Sequence, residues 1–236
     1  MTAETSSGDQ ARFEERLGGI RGRIDRASGD PASVRIVAVT KGFGLDRIRM
    51  ALAAGLVDIG ENYADELVGK ARDLTGGTAG VTTHEVPSSG LTWHFLGAIQ
   101  RNKVARLVPV VDWWQTVSRV EEGTAIARHQ PGATVLVQVD VAGLPGRGGC
   151  SPEQVGDLVA ALRDEDLAVA GLMAVGSPGT PEDARPGFTL VSRLADTSSL
   201  PVRSMGMSDD LDVALAEGST MVRLGRSLFG PRPPRP

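Results

Sequence analysis

The chain has 236 residues, of which 41% are hydrophobic and 23% are charged, and its formal net charge at pH 7 is −4. This composition is typical of a folded globular protein and excludes a disordered chain, while the acidic balance argues against a nucleic-acid-binding surface. One cysteine excludes an internal disulfide framework, and no signal peptide or apolar run of about 18 residues is visible. We therefore expect a cytoplasmic protein that does not enter a membrane.

The first elements are a helix, a strand and a second helix. A leading helix is predicted over residues 11–27, because apolar residues recur there at helical spacing, namely Phe13, Leu17, Ile20 and Ile24. Residues 34–40 form a β-branched apolar run without polar alternation, which is typical of a strand buried on both faces. A helical pattern follows over residues 45–54 and ends at Gly55.

The same alternation continues to the end of the chain. Further strands are predicted over residues 57–61, 92–97, 110–117, 134–140, 168–176, 200–205 and 220–224. Residues 151–154 have the pattern of a capping box with proline at the first helical position. A helix is predicted from Asp209 to Glu217, with Ser208 as its N-cap and Gly218 after its end.

Eight strands that alternate with helices predict an α/β fold, a single (β/α)8 TIM-type barrel with an extra N-terminal helix. A doubly wound open sheet is the alternative, but eight units in so short a chain favour closure. The barrel is expected to span residues 11–230, between a disordered tail at 1–10 and a flexible tail at 231–236. A loose surface loop is expected between residues 76 and 90.

The reactive residues of such a barrel lie at the C-terminal ends of its strands. Lys41 directly follows the first strand, where partial burial would lower its pKa and favour the neutral amine that forms an imine. The alternative is a lysine that extends its ammonium group to solvent.

The loops after the seventh and eighth strands have the features of a phosphate site. Ser204 offers a hydroxyl, and the helix expected after Ser208 offers free N–H groups. Gly225 allows an anion to approach the backbone closely. Ordinary turn chemistry is the alternative for both loops.

Seven motifs resemble successive signatures of the pyridoxal phosphate homeostasis proteins. They are AVTK at 38–41, GENY at 60–63, WHFLG at 93–97, QRNK at 100–103, GLM at 171–173, SMGMS at 204–208 and GSTMVRLG at 218–225. Their order and spacing agree with that family from about residue 34 to residue 230. The resemblance implies a barrel like the N-terminal domain of alanine racemases, with pyridoxal 5′-phosphate (PLP) bound as an internal aldimine.

The resemblance also implies roles for individual residues. Lys41 would carry the aldimine, and Asn62 would lie beside the pyridine ring. Ser204 and the backbone around Gly225 and Arg226 would hold the phosphate. The sequence departs from the family at Arg226, where relatives often have a hydroxyl residue, and at a more glycine-rich loop after Lys41.

By the same resemblance, Arg223 would face the pyridine nitrogen. An arginine there remains a cationic donor, so the nitrogen stays unprotonated and the ring is a weak electron sink. Racemases of this fold take a second acid–base group, a tyrosine, from an additional β-domain, and the only tyrosine here is Tyr63. The expectation is therefore a protein without robust catalysis and without catalytic residues, which buffers or delivers PLP inside the cell.

PLP-dependent apo-enzymes are the expected partners, and a monomer or weak homodimer is expected. The alternatives are a racemase-like PLP enzyme acting on amino acids, a Schiff-base aldolase that uses Lys41 without cofactor, and a structural partner protein with a vestigial site. The three histidines lack ligand spacing, so no metal site is expected. His94 is either a pocket residue or a core histidine, and Trp113 and Trp114 are expected on opposite faces of their strand.

Overall fold

The computed structural model describes residues 7–75, 90–144 and 146–232. Its strands and helices alternate in chain order as α1 (Ser7–Ser28), β1 (Arg35–Val39), α2 (Leu45–Ala53), β2 (Asp58–Glu61), α3 (Ala64–Leu74), β3 (Thr92–Phe95), α4 (Arg101–Leu107), β4 (Trp113–Val117), α5 (Val120–Ala127), β5 (Thr134–Gln138), α6 (Val155–Asp164), β6 (Ala168–Met173), α7 (Arg185–Thr197), β7 (Val202–Ser204), α8 (Leu211–Ala216), β8 (Met221–Leu224) and α9 (Arg226–Phe229). Short 3-10 turns precede α6 and α7, at Pro152–Gln154 and Pro181–Ala184.

The eight strands form a closed parallel barrel in sequence order. Closure is made by β1, which pairs in parallel with β2 through Ala38 and Ile59 and with β8 through Ile36 and Val222. The predicted (β/α)8 barrel is therefore confirmed, and the open doubly wound sheet is excluded.

Side chains alternate between the barrel interior and the layer beneath the helices. In β1, Val37 contributes to an interior apolar cluster, whereas Ile36 and Ala38 belong to the larger core between strands and helices. This two-residue period follows from strand geometry. In β4, Trp113 packs against the interior cluster and Trp114 lies fully buried in the outer core, as predicted.

Helix α1 packs its apolar face on the outside of the barrel, and its four apolar residues Phe13, Leu17, Ile20 and Ile24 are buried. It begins at Ser7, four residues before the predicted start, so residues 7–10 are helical. Residues 1–6, 76–89 and 233–236 lie outside the described residues. Most of the predicted surface loop and parts of both predicted tails therefore lie there as well.

All eight strands are one to three residues shorter than predicted. Two of the differing element boundaries are explained by local hydrogen bonds. The fourth strand begins at Trp113 rather than at residue 110, because the chain after α4 continues in a turn in which Val111 N–H donates to the Leu107 carbonyl at 3.0 Å. The eighth helix begins at Leu211 after Asp210, so Ser208 is not its N-cap. The Asp210 carboxylate instead accepts a hydrogen bond from Met207 N–H at 2.6 Å.

The predicted helix ends and capping box are confirmed. Gly55 and Gly218 follow α2 and α8 with φ of 78° and 81°, a conformation that glycine adopts without strain. Ser151 and Gln154 form a reciprocal capping box before α6. Within the described residues, no helix is both long and apolar enough to cross a membrane.

Candidate functional site

A cavity of about 570 Å³ opens at the C-terminal ends of the strands. Its wall comes from the ends of β1, β2, β3, β6 and β8 and from the loops after β7 and β8. The lining residues are Val39, Lys41, Asn62, Leu96, Met173, Val175, Met207, Ser208, Asp209, Arg223, Gly225, Arg226 and Arg232. Four of them are basic and one is acidic, so the cavity suits an anionic ligand.

Lys41 lies two residues beyond the end of β1 and lines this cavity. Burial lowers the pKa of its ammonium group below the usual value, the nearby Arg232 guanidinium adds to the decrease, and Glu61 opposes it. A lysine with a depressed pKa is more often present as the neutral amine, the form that attacks a carbonyl.

A buried ionic network holds the backbone on which Lys41 lies. The Lys70 ammonium donates to the Thr40 carbonyl at 2.7 Å, to Glu61 Oε1 at 2.6 Å and to Glu66 Oε1 at 2.7 Å. Glu66 Oε1 also accepts from Gly42 N–H at 2.6 Å. Both residues that flank Lys41 are therefore fixed to β2 and α3.

Sequence reasoning missed Lys70. The available signal was its position on the apolar face of α3, four residues after Glu66, where a lysine must find acceptors to be buried. Glu61 is the last residue of β2. Burial raises the pKa of its carboxyl group, and among the described residues nothing bonds to its Oε2.

Arg223 forms part of the cavity wall from the barrel interior. Its Nη1 donates to the carbonyl and the hydroxyl of Ser204, both at 2.7 Å, and its Nη2 donates to the Ala174 carbonyl at 2.8 Å. Burial lowers the pKa of Arg223 to about 10, against an opposing effect of Asp210, so the group stays cationic at neutral pH.

Ser204 is not among the described residues that line the cavity. Its side chain is fully buried in the barrel, where the hydroxyl accepts from Arg223 and donates to Gln115 Oε1 at 2.8 Å. The structure therefore brings this hydroxyl to Arg223 but not into the cavity wall with the other predicted site residues. Strand alternation explains why, because the residue points into the barrel below the level of the loops.

Ser208, in the loop after β7, does line the cavity. Its hydroxyl accepts from Ser227 N–H at 3.1 Å and lies 3.2 Å from the Ser227 hydroxyl, which ties the loop after β7 to the start of α9. Next to it, Arg226 forms an exposed ion pair with Asp209. A side chain at Gly225 would place its Cβ 3.2 Å from the Val39 carbonyl, so glycine keeps this loop close to β1.

Asn62 completes the set of cavity residues that the sequence predicts. Its Nδ2 donates to the Leu96 carbonyl at 3.2 Å, which holds the amide at the rim between β2 and β3. Five predicted residues thus share one cavity wall, namely Lys41, Asn62, Arg223, Gly225 and Arg226.

The remaining candidate residues lie elsewhere. His94 is fully buried in the barrel, with Nε2 2.8 Å from Asp58 and Nδ1 2.7 Å from Gln115, so it is a core histidine. Lys103 and Arg106 on α4 pair with exposed Asp65. In the described part of the chain, no group of three histidine, cysteine, aspartate or glutamate residues could hold a metal ion.

Comparison with known proteins places these residues in a family context. Residues 17–233 match the family model of the alanine racemase N-terminal domain. A protein of Pseudomonas aeruginosa named pyridoxal phosphate homeostasis protein is 36% identical over 221 residues, which cover 90% of this chain and 91% of that one. A protein of the same name from Escherichia coli K12 is 32% identical, over 88% of this chain and 89% of its own.

A solved structure is also similar to this chain. The structure of PipY from Synechococcus elongatus with PLP bound superposes with a TM-score of 0.76 at 30% identity. The match covers 92% of this chain and all of that one.

Proposed function

The chain belongs to the alanine racemase N-terminal domain family and within it to the pyridoxal phosphate homeostasis proteins, and from this premise we propose that it binds PLP and takes part in intracellular PLP homeostasis without robust catalysis. The observation that carries the proposal is a single cavity that joins an amine of lowered pKa, a buried guanidinium and a basic loop. PLP requires a partner for its aldehyde, for its ring nitrogen and for its phosphate, and each of these groups has a candidate.

The aldehyde partner is Lys41. When bound, PLP supplies an aldehyde that condenses with a primary amine, and the lowered pKa of Lys41 favours that reaction. The linkage we propose for the resting protein is an internal aldimine at Lys41 Nζ. The cavity volume of about 570 Å³ lies within the range of small-molecule sites, roughly 300–1,000 Å³.

The candidate ring and phosphate partners come from the ends of β2 and β8, the two neighbours of β1, and from the loop after β7. Arg223 would donate to the ring nitrogen, and Asn62 would flank the ring. For the phosphate we propose Ser208 with the backbone of Gly225 and Arg226, in place of the Ser204 hydroxyl. Arg226 can contribute charge where relatives often have a hydroxyl residue, because its guanidinium lies at the cavity wall.

Two features favour a binder over an enzyme. A cationic arginine at the ring nitrogen keeps that nitrogen unprotonated, which weakens the carbanion chemistry that PLP supports. The described residues that line the cavity also include no tyrosine, histidine or cysteine that could act opposite Lys41. Tyr63 lies outside this wall and is 47% exposed.

The decisive experiment is a visible absorption spectrum of the purified protein after incubation with PLP, with Lys41→Ala and Lys103→Ala beside it. We expect a Schiff-base band in the wild type and in Lys103→Ala, whose lysine lies on exposed α4. The band should be lost in Lys41→Ala. Reduction with borohydride followed by peptide mass spectrometry should place the pyridoxyl group on Lys41.

Either of two results would contradict the proposal. An absent band in the wild type would mean that the cavity does not bind PLP covalently. An unchanged band in Lys41→Ala would assign the linkage to another lysine. A colourless protein that borohydride links to a carbonyl substrate would instead support the cofactor-free aldolase.

Homeostasis and catalysis need separate measurements. Loaded protein should restore activity to a PLP-dependent apo-enzyme, faster than the same protein reduced with borohydride, which cannot release the cofactor. For the racemase-like alternative, exchange of amino-acid α-protons in D2O can be followed by NMR. We expect no exchange above the Lys41→Ala background, and sustained exchange would make the protein an enzyme.

A further inference from the structure

A line of polar side chains crosses the barrel interior, beginning at the cavity. Arg223 Nη1 donates to Ser204 Oγ at 2.7 Å, and Ser204 Oγ donates to Gln115 Oε1 at 2.8 Å. Gln115 Nε2 then lies 2.7 Å from His94 Nδ1. Ser204, Gln115 and His94 have no exposed surface, so bulk water does not compete for these bonds.

The line continues to the opposite end of the barrel. His94 Nε2 lies 2.8 Å from Asp58 Oδ1, and the same oxygen is 3.6 Å from Arg35 Nη1. Asp58 is the first residue of β2 and Arg35 the first of β1. The six residues come from six different strands and connect the cavity with the N-terminal mouth of the barrel.

Such a line is unusual inside a barrel of this type, whose interior is normally filled by branched apolar side chains. Burying polar groups costs free energy unless each finds a partner, and a network with one missing partner is worse than an apolar core. The interior here keeps Val37, Leu136, Met173 and Met221 as an apolar cluster beside the line. Each buried polar side chain of the line thus keeps a hydrogen-bond partner, in a space that apolar residues could fill.

The two ends of the line fix the direction of its hydrogen bonds. A guanidinium can only donate and a carboxylate can only accept. The Asp58 carboxylate accepts a hydrogen bond from His94 Nε2, so the proton of a neutral His94 lies on Nε2. His94 Nδ1 must then accept a hydrogen bond from the Gln115 amide nitrogen. The Gln115 oxygen then faces Ser204, whose hydroxyl donates to it and is free to accept from Arg223.

If one residue of the line exchanged its donor and acceptor atoms, the hydrogen bonds of the other residues would also have to change. A proton on His94 Nδ1 would face the Gln115 amide nitrogen, so the amide would have to rotate. Ser204 would then receive donors from both Gln115 and Arg223 and would lose the acceptor for its own proton. Arg223 is held by the carbonyls of Ser204 and Ala174 and by the Ser204 hydroxyl, and the last of these three hydrogen bonds therefore depends on a histidine that the cavity does not contain.

We propose that His94 is a positioning residue for the ligand site, which acts through Gln115 and Ser204 to fix the Arg223 guanidinium at the cavity wall. The proposal rests on the proposed function, in which Arg223 meets the ring nitrogen of PLP. Under this proposal, Asp58 at the N-terminal mouth of the barrel influences the cofactor site through His94.

The surroundings of His94 suit this role. Burial lowers the pKa of its imidazole, against the opposing effects of Asp58 and Asp112, while Arg35 adds to the decrease. The Trp113 ring stacks on the imidazole at a centroid distance of 5.5 Å, which holds its plane. A neutral imidazole held in this plane keeps its proton on Nε2, because the Asp58 carboxylate accepts there.

The first test uses the ligand-free protein. ¹⁵N-labelled histidine should show His94 with a proton on Nε2 and none on Nδ1, the signal being assigned by its loss in His94→Gln. The chain has only three histidines, so the spectrum is simple. A proton on Nδ1 would overturn the inference whether or not PLP binds.

The second test compares variants in PLP binding and in the pH midpoint of the visible band. His94→Leu breaks the line, whereas His94→Gln can accept from Gln115 and donate to Asp58, and should restore the wild-type midpoint. For His94→Leu we expect a shifted midpoint and PLP binding weaker on the order of tenfold, the equivalent of one lost hydrogen bond to a charged group. Gln130→Leu, an amide at the same end of the barrel but outside the line, serves as the control.

Each outcome decides a separate question. An unchanged midpoint and affinity in His94→Leu would overturn the role of His94. If that variant does not fold, Gln115→Leu breaks the same line and carries the same expectation. No band in the wild type would overturn the proposed function alone, because the tautomer of His94 is measured without ligand.

Discussion

At the scale of single residues, Lys70 shows what a buried charge in this barrel depends on. Its ammonium has three acceptors, and its partner Glu61 is fully buried with one oxygen that nothing in the described structure satisfies. We expect Lys70→Met to lower the free energy of unfolding by about 3–5 kcal/mol at neutral pH, because Glu61 is left buried without its counter-charge. Urea denaturation measures this.

The same variant predicts a pH dependence. Burial already raises the pKa of Glu61 and Lys70 opposes that effect, so losing Lys70 raises the pKa further. A carboxyl group whose pKa is higher in the folded state binds more protons there, so folding is favoured as pH falls. The deficit of Lys70→Met should therefore shrink as pH is lowered through the folded pKa. Lys103→Met, on exposed α4, should show neither effect, and a deficit independent of pH would contradict this account.

Among the described residues that line the cavity, Asp209 is the one acidic group, and it pairs with Arg226. Asp209→Asn should free the Arg226 guanidinium to bind the ligand phosphate. It should also remove a negative charge that repels this phosphate. Because both side chains are largely exposed, the gain is small, about two- to fivefold in PLP affinity. Titration of the visible band measures it. Asp212→Asn removes a comparably exposed, ion-paired carboxylate outside the cavity wall and should leave affinity unchanged.

At the scale of elements, three aromatic rings connect the N-terminal helix to the site. Phe229 of α9 stacks on Phe13 of α1 at 5.4 Å and contacts Phe43, two residues after Lys41, at 5.5 Å. The extra helix therefore supports the loop that carries the amine and the short helix that follows Gly225.

Phe229→Ala should destabilise the protein by about 3–5 kcal/mol and also weaken PLP binding, since both loops lose their common support. Phe188→Ala, in α7 and fully buried, should cost similar stability without a change in affinity, provided that both variants are compared where they are folded. Equal affinities for the two variants would show that the cluster supports the fold alone. Thermal unfolding and band titration supply the two measurements.

The elements themselves were largely predictable, because buried parallel strands have apolar runs that local sequence reveals. Lys41 and Gly225 could be selected since strand ends converge at one face of a barrel, whereas Asn62, Arg223 and Arg226 are selected through the family resemblance of their motifs. Ser204 and Ser208 could not be distinguished, because both belong to one motif and the outcome depends on where β7 ends and its side chains point. Lys70 and the line through His94 depend on partners from separate strands and helices, which no local pattern records.

At the scale of the whole molecule, every strand of the closed barrel has two neighbours. Trp93 and Trp114 are fully buried in the layer between strands and helices, so their fluorescence reports on that layer. We expect thermal unfolding followed by tryptophan fluorescence to coincide with unfolding followed by circular dichroism. PLP at about 100 times its dissociation constant should add ~2.7 kcal/mol and shift both transitions together. Separate transitions would indicate that part of the barrel opens on its own.

Barrel closure also sets a time at which the ligand site can first exist during synthesis. Lys41 follows the first strand and Gly225 follows the last, and the two loops become neighbours only when β1 pairs with β8. Chains are made from the N-terminus at about 5–20 residues per second, so the amine emerges from the ribosome long before the loop after β8. A nascent chain therefore exposes Lys41 without its phosphate partner, and we expect it to acquire PLP only once β8 has been made and has paired with β1.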